Sequence, residues 1–160
     1  MKLIQCPDDI RNFQPMPTPQ HPQESFVFMA GGITGTRNWQ QDLIKMLSCE
    51  NDRLVLINPR RDDFDVNDPG ASSFQIEWEF YHLSKATYVS FWFPPETLCP
   101  ITLYELGVQA AKGKNIIVGC DPGYKRKYDV EKQLSLLRPE ILVRDSLEKV
   151  AEQIAFYYPF

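Results

Sequence analysis

Thr87-Tyr88-Val89-Ser90-Phe91-Trp92-Phe93-Pro94-Pro95-Glu96-Thr97-Leu98-Cys99-Pro100-Ile101-Thr102-Leu103-Tyr104-Glu105-Leu106-Gly107 is the stretch on which the fold turns. Its opening run to Phe93 is apolar and aromatic with no helical spacing, which reads as a buried strand. Pro94 and Pro95 then stop the strand firmly, because proline donates no ladder hydrogen bond. Pro100 suits the first turn of a helix, where a missing N–H costs nothing. Residues 101–112 carry apolar side chains at three- and four-residue spacing, so the spacing predicts a helix there.

The same alternation runs outward in both directions. Further strands are predicted at Phe26 to Ala30, Arg53 to Ile57, Asn115 to Gly119 and Glu140 to Val143, with helices at roughly 37–49, 73–86, 125–136 and 146–157. Strand followed by helix, five times over, implies an α/β fold: a doubly wound, Rossmann-like or flavodoxin-like five-stranded parallel sheet with helices on both faces. Residues 7–24 hold Pro7, Pro15, Pro17, Pro19 and Pro22, too poor in donors for a helix or central strand. The expected organisation is therefore a proline-rich N-terminal arm over residues 1–24 and a single domain over 25–160.

Composition narrows the partners. With 17 Lys and Arg against 21 Asp and Glu, no broad basic surface is available for a nucleic-acid polymer. No apolar run reaches the roughly 18 residues of a membrane span, and the N-terminus lacks signal-peptide order, which points to the cytoplasm. Cys6, Cys49, Cys99 and Cys120 form no CxxC pair and read as free thiols in a reducing compartment. The two histidines, His21 and His82, make a structural zinc site a poor expectation; neither metal nor cofactor is called for.

In a doubly wound sheet ligands gather at the carboxyl ends of the strands, so the residues just after each strand are the ones expected to carry chemistry. After the first comes Ala30-Gly31-Gly32-Ile33-Thr34-Gly35. Its bare backbone N–H groups suit a phosphate or sugar oxygen, or the glycines simply make a turn. The spacing is neither GxGxxG nor a P-loop, which disfavours a nicotinamide-linked oxidoreductase. After the second comes Asn58-Pro59-Arg60-Arg61-Asp62-Asp63, where either arginine could fork onto a phosphate or pair with the neighbouring aspartates. In the next helix, Ile76, Phe80 and Leu83 make the expected buried stripe, with Glu79 at its edge and Trp78 turned away. A carboxylate at that rim suits proton transfer or is an ordinary solvated residue. Glu105, early in the following helix, has two readings: a nucleophile kept ionised by the helix dipole, or the return partner in a Thr102-x-x-Glu105 capping box. Gly107 is expected to allow a neighbouring backbone close to Glu105.

Together, Ala30-Gly31-Gly32-Ile33, Trp39-Gln40, Asn58 to Asp63, Trp78-Glu79 and Pro100 to Gly107 resemble, in order and spacing over roughly residues 26–120, the nucleoside 2-deoxyribosyltransferase-like superfamily. The resemblance implies cleavage or transfer of an N-glycosidic bond of a nucleoside or nucleotide. In it the glutamate matched by Glu105 attacks the anomeric carbon and releases the base. A second base or water then resolves the glycosyl-enzyme. An aspartate that positions the sugar or handles the proton falls at Glu79. It further implies a homodimer or larger homo-oligomer whose sites include a neighbour's residues, and a substrate-binding set of Gly31, Gly32, Gly35, Asn58, Arg60, Asp62 and Cys99.

Two positions depart from that pattern. Relatives carry, six residues before the nucleophile, an aspartate that engages the base or a serine that binds a 5′-phosphate; here it is Cys99, whose thiol is a poor donor and acceptor. The first-loop arginine of nucleotide-hydrolysing relatives is Thr34. These departures motivate an alternative expectation, a noncatalytic protein that binds a nucleotide-derived ligand on the same fold. The aromatic Phe156-Tyr157-Tyr158-Pro159-Phe160 would suit a tail reaching a neighbouring site.

Overall fold

The computed structural model describes residues 1–7, 12–13, 15–20, 24–48, 53–61 and 69–157. Six strands form the sheet: β1 (Lys2–Gln5), β2 (Ser25–Gly31), β3 (Leu54–Asn58), β4 (Tyr88–Phe93), β5 (Ile116–Cys120) and β6 (Val143–Arg144). Five helices follow or join them: α1 (Trp39–Met46), α2 (Pro69–Lys85), α3 (Pro100–Ala111), α4 (Lys127–Leu137) and α5 (Leu147–Tyr157). The strand order is β1-β3-β2-β4-β5-β6, and every neighbouring pair is parallel.

The doubly wound α/β architecture is as the sequence implies, with one strand more. That strand, β1, lies within the first 24 residues and pairs Lys2 with Val55 through to Gln5 with Asn58. Four mostly exposed residues at a sheet edge carry little hydrophobic pattern, so nothing in their spacing announced them. At the other edge β6 starts later than expected, because residues 138–141 close a turn in which Ile141 N–H donates to Arg138 O.

Each central strand is apolar on both sides, and the two sides feed different cores. Phe26, Phe28 and Ala30 of β2 join Phe74 and Trp78 of α2, Leu106 and Ala110 of α3, and Val130 and Leu134 of α4. Val27 and Met29 face the other way, onto Trp39 and Leu43 of α1 and Val150 and Ile154 of α5. This division follows from handedness. From β2 the chain crosses to β3 in one direction, then returns past β2 to β4 and continues outward. Right-handed crossovers in opposite directions put α1 on one face and α2, α3 and α4 on the other. The winding reverses between β2 and β4, whose ends are aligned by the pairing of Gly31 with Trp92. A cleft opens at such a reversal.

The buried stripe of α2 differs from the expected one. Phe74, Gln75, Trp78, His82 and Leu83 face inward, whereas Ile76 and Phe80 are 65% and 72% exposed. Trp78 brings more area to bury than any competitor and packs against Phe28 with ring centroids 6.2 Å apart. His82 stacks on Trp78 at 3.9 Å. Polar Gln75 and His82 within the true stripe broke the apolar count on which the sequence reading relied. Among the described residues no helix is long and apolar enough to cross a membrane.

Candidate functional site

At the reversal point a cavity of about 410 Å³ opens between the end of β2, the loop that leads into α3, the middle of α2 and the first half of α3. Gly31, Gly32, Arg61, Gln75, Glu79, Cys99 and Glu105 all contribute to its wall. The strand ends and two helices thus gather residues far apart in sequence.

The glycine turn is required by contact rather than by unusual dihedrals. A Cβ on Gly31 would sit 2.4 Å from the Trp92 carbonyl oxygen and 2.4 Å from Trp39 Cζ2. On Gly32 it would sit 2.8 Å from both Cys99 Sγ and Thr97 Cγ2. Trp39 Nε1 donates to Gly32 O at 2.8 Å, and Thr36 Oγ1 donates to the same oxygen at 3.0 Å. Gly35 has φ +73 and open space around it, and it lies outside the cavity wall.

The segment after β3 divides in two. Arg60 donates to Thr36 O at 3.0 Å, Arg37 O at 3.1 Å and Gln40 Oε1 at 3.2 Å, all part of the glycine turn and the start of α1. Asn58 donates through Nδ2 to Gln5 Oε1 at 2.9 Å and accepts from Arg60 N–H at 3.1 Å. Neither Asn58 nor Arg60 lines the cavity. Arg61 does, 8% exposed. Asp62, like Asp63 beside it, lies outside the described residues.

α3 starts at Pro100 with Cys99 as its N-cap, in the left-handed region at φ 48. Thr102 is therefore inside the first turn and Glu105 beyond it, so the capping-box pairing does not exist. The helix dipole falls off within the first turn, and at Glu105 other forces dominate. Burial, reinforced by the negative charge of Glu79, pushes the Glu105 carboxyl up to about 8. The expectation of a carboxylate held ionised by the dipole is thus corrected. Glu79 is also raised by burial, partly offset by a hydrogen bond from Gln75, whose Nε2 donates to Glu79 Oε1 at 2.6 Å.

Cys99 is buried at the junction of the glycine turn and α3. Burial raises its thiol to about 11, against a backbone hydrogen bond from Gly32 that lowers it, with Glu96 adding a smaller upward push. It is a neutral, packed thiol. The close approach expected at Gly107 is absent, since an added Cβ would meet nothing within 4 Å. Tyr104 points away, 72% exposed. Among the described residues no cluster of His, Cys, Asp or Glu has metal-holding geometry. None of the described cysteines, Cys6, Cys99 and Cys120, is in a disulfide.

Gln75 is the cavity residue that the sequence reading passed over. Its signal was present, one helical turn before Glu79 on the same face. Two carboxylates from adjacent helices, a buried cation and an apolar wall with glycine backbone at its floor can hold a small polar ligand and move one proton against it.

The family described as nucleoside 2-deoxyribosyltransferase like has a model that matches residues 24–124. That span runs from the start of β2 past the end of β5, and every described cavity residue falls inside it. No curated protein matches the chain.

Proposed function

We propose that this chain, which belongs to the nucleoside 2-deoxyribosyltransferase-like family, breaks the N-glycosidic bond of a nucleoside or nucleotide through a glycosyl intermediate on Glu105. The observation that carries the reading is the pairing of Glu105 with Glu79 in one cavity. Two carboxylates that repel one another in a buried site share a single proton near neutral pH. A displacement at a sugar needs one carboxylate ionised and one protonated.

A lone pair of ionised Glu105 forms a bond to C1′ of the sugar, and the C1′–N bond breaks with its electrons going to the base. Glu79 gives its proton to the departing base. Water or a second base then attacks C1′, its displaced proton returns to Glu79, and the Glu105 carboxylate leaves. Before substrate binds, the shared proton rests on Glu105, held there by burial and the charge of Glu79; positive charge building at C1′ favours its passage to Glu79 as the attack begins. Gly31 and Gly32 leave room for the sugar, Arg61 is the cation on the wall, and Cys99 packs against the turn rather than reacting.

This reading extends to assembly. Ile76 of α2 and Ile101 of α3 line the cavity and are exposed, and Phe80 and Tyr104 on the same helices are exposed as well, apolar area suited to a second copy in a homodimer or larger oligomer working in the cytoplasm. The test is to incubate the full chain with deoxynucleosides, ribonucleosides and their monophosphates, with and without an acceptor base, and separate the bases by chromatography. Free or exchanged base is the expected result. None from any of them would overturn the reading.

A second reading has one observation in its favour, the high proton affinity of Glu105. A noncatalytic binder of a nucleotide-derived ligand would show tight calorimetric binding without turnover.

A further inference from the structure

Gln75 is 9% exposed, and its side-chain amide is tied on three sides. Nε2 donates to the Pro59 carbonyl at 2.7 Å and to Glu79 Oε1 at 2.6 Å. Its Oε1 accepts from the Cys6 thiol, with Sγ at 3.3 Å. These partners come from the end of β3, from α2 and from the residue after β1. A planar amide held at three corners cannot rotate without losing a hydrogen bond in a buried place, which is expensive.

We propose that Gln75 is a positioning residue for proton transfer, anchoring Glu79 through Oε1 so that Oε2 alone exchanges a proton with the base. The inference rests on the functional reading given above for the cavity. Its chemistry is direct. A carboxyl group has two oxygens, and one occupied by an N–H donor does not hold the proton. The same N–H favours the ionised carboxylate, which makes Glu79 a stronger acid toward a departing base. Among the described residues the other ionisable groups on the cavity wall are Glu105 from α3, Cys99 at its N-cap and Arg61 from the loop after β3, and behind Gln75 lies the Cys6 thiol. Glu105 is the one whose own proton affinity responds to Glu79. Removing the Gln75 donor therefore strengthens proton binding at Glu79 and moves the first ionisation of the pair upward.

The experiment compares the wild-type full chain with Gln75→Met, which keeps length and removes the amide. Gln75→Leu serves as a second uncharged variant without the N–H donor. Glutamate side-chain carboxyls labelled with carbon-13 are titrated by NMR, and base release is measured across pH. For Gln75→Met the first carboxyl ionisation of the pair and the acid limb of kcat/KM should both move up by about one pH unit, the scale of one charge-assisted hydrogen bond. The kcat should fall about tenfold with KM changed less than twofold, and Gln75→Met should add no further loss in a Glu79→Gln background. An unmoved titration, or a loss confined to thermal stability, overturns the proposal. If Gln75→Met does not fold, Gln75→Leu must show the same upward shift, and its absence overturns the proposal equally. If the wild type releases no base at all, the functional reading falls, and the titration still decides whether Gln75 sets the protonation of Glu79.

Discussion

Arg60 Nη2 donates to the Thr36 carbonyl at 3.0 Å, so the loop after β3 splints the glycine turn after β2. Its planar fork reaches two further acceptors, Arg37 O and Gln40 Oε1, a geometry that a lysine ammonium cannot reproduce. Arg60→Ala should lower unfolding free energy by about 2 kcal/mol, and Arg60→Lys should recover less than half of that. Urea denaturation measures both. A stability unchanged in Arg60→Ala would show that the splint does not hold the turn.

The glycines should separate into three responses. Gly31→Ala and Gly32→Ala place a Cβ within 2.4 and 2.8 Å of their nearest neighbours, and each should cost about 1–3 kcal/mol with loss of base release. Gly31→Ala should be the worse, because the neighbour includes the Trp92 carbonyl, which cannot swing aside. Gly107→Ala meets nothing and sits in the interior of α3, so it should raise stability by about 0.5–1 kcal/mol.

Stability should fall as pH rises through the titration of Glu105. Its folded pKa, about 8, lies above the 4.5 of an ordinary glutamate; the folded form binds the proton more tightly than the unfolded chain does. The associated stability is complete below about 4.5 and lost progressively up to about 8. Glu105→Gln should flatten that slope, gaining on the order of 2 kcal/mol over wild type at pH 8.5 relative to pH 5, while abolishing base release. Chemical denaturation at the two pH values measures the first effect. Equal stability differences at both would contradict a buried, proton-holding Glu105.

His82 carries the opposite sign. Burial lowers its pKa from 6.5, against a smaller upward push from its backbone hydrogen bond to Trp78, and Nδ1 lies 2.8 Å from Trp78 O. The neutral ring is the folded form, so its contribution is complete above about 6.5 and lost as pH falls below that value. His82→Phe should keep the stack on Trp78 and remove this acid sensitivity. Melting temperatures from pH 7 down to 5 should diverge between the two proteins, with wild type falling faster.

What the sequence disclosed is uneven for physical reasons. The central strands and all five helices are written in apolar runs, proline stops and helical spacing. Glu79 and Glu105 were both singled out, and both reach the cavity. The stripe of α2 was misplaced because its inward face includes a glutamine and a histidine whose partners are distant: Cys6 and Pro59 for Gln75, an aromatic stack for His82. Spacing cannot express such partnerships. The same limit applied to Arg60 and Arg61, adjacent in sequence, where a single step along the chain sends one to a turn and the other to the cavity.

The edge strand Lys2–Gln5 has a consequence for how the chain is made. It is synthesised before the other described strands, and its partner Val55 follows only after β2 and α1 have been translated. Until then it can dock nowhere in the sheet, and when Leu54–Asn58 emerges, that wholly buried apolar strand needs a neighbour on each side. β2 supplies one and the waiting N-terminus the other, which keeps a sticky edge from pairing with a second nascent chain. Deleting residues 2–4, which leaves Cys6 and its bond to Gln75 in the chain, should therefore reduce soluble yield well before it alters the chemistry of the cavity.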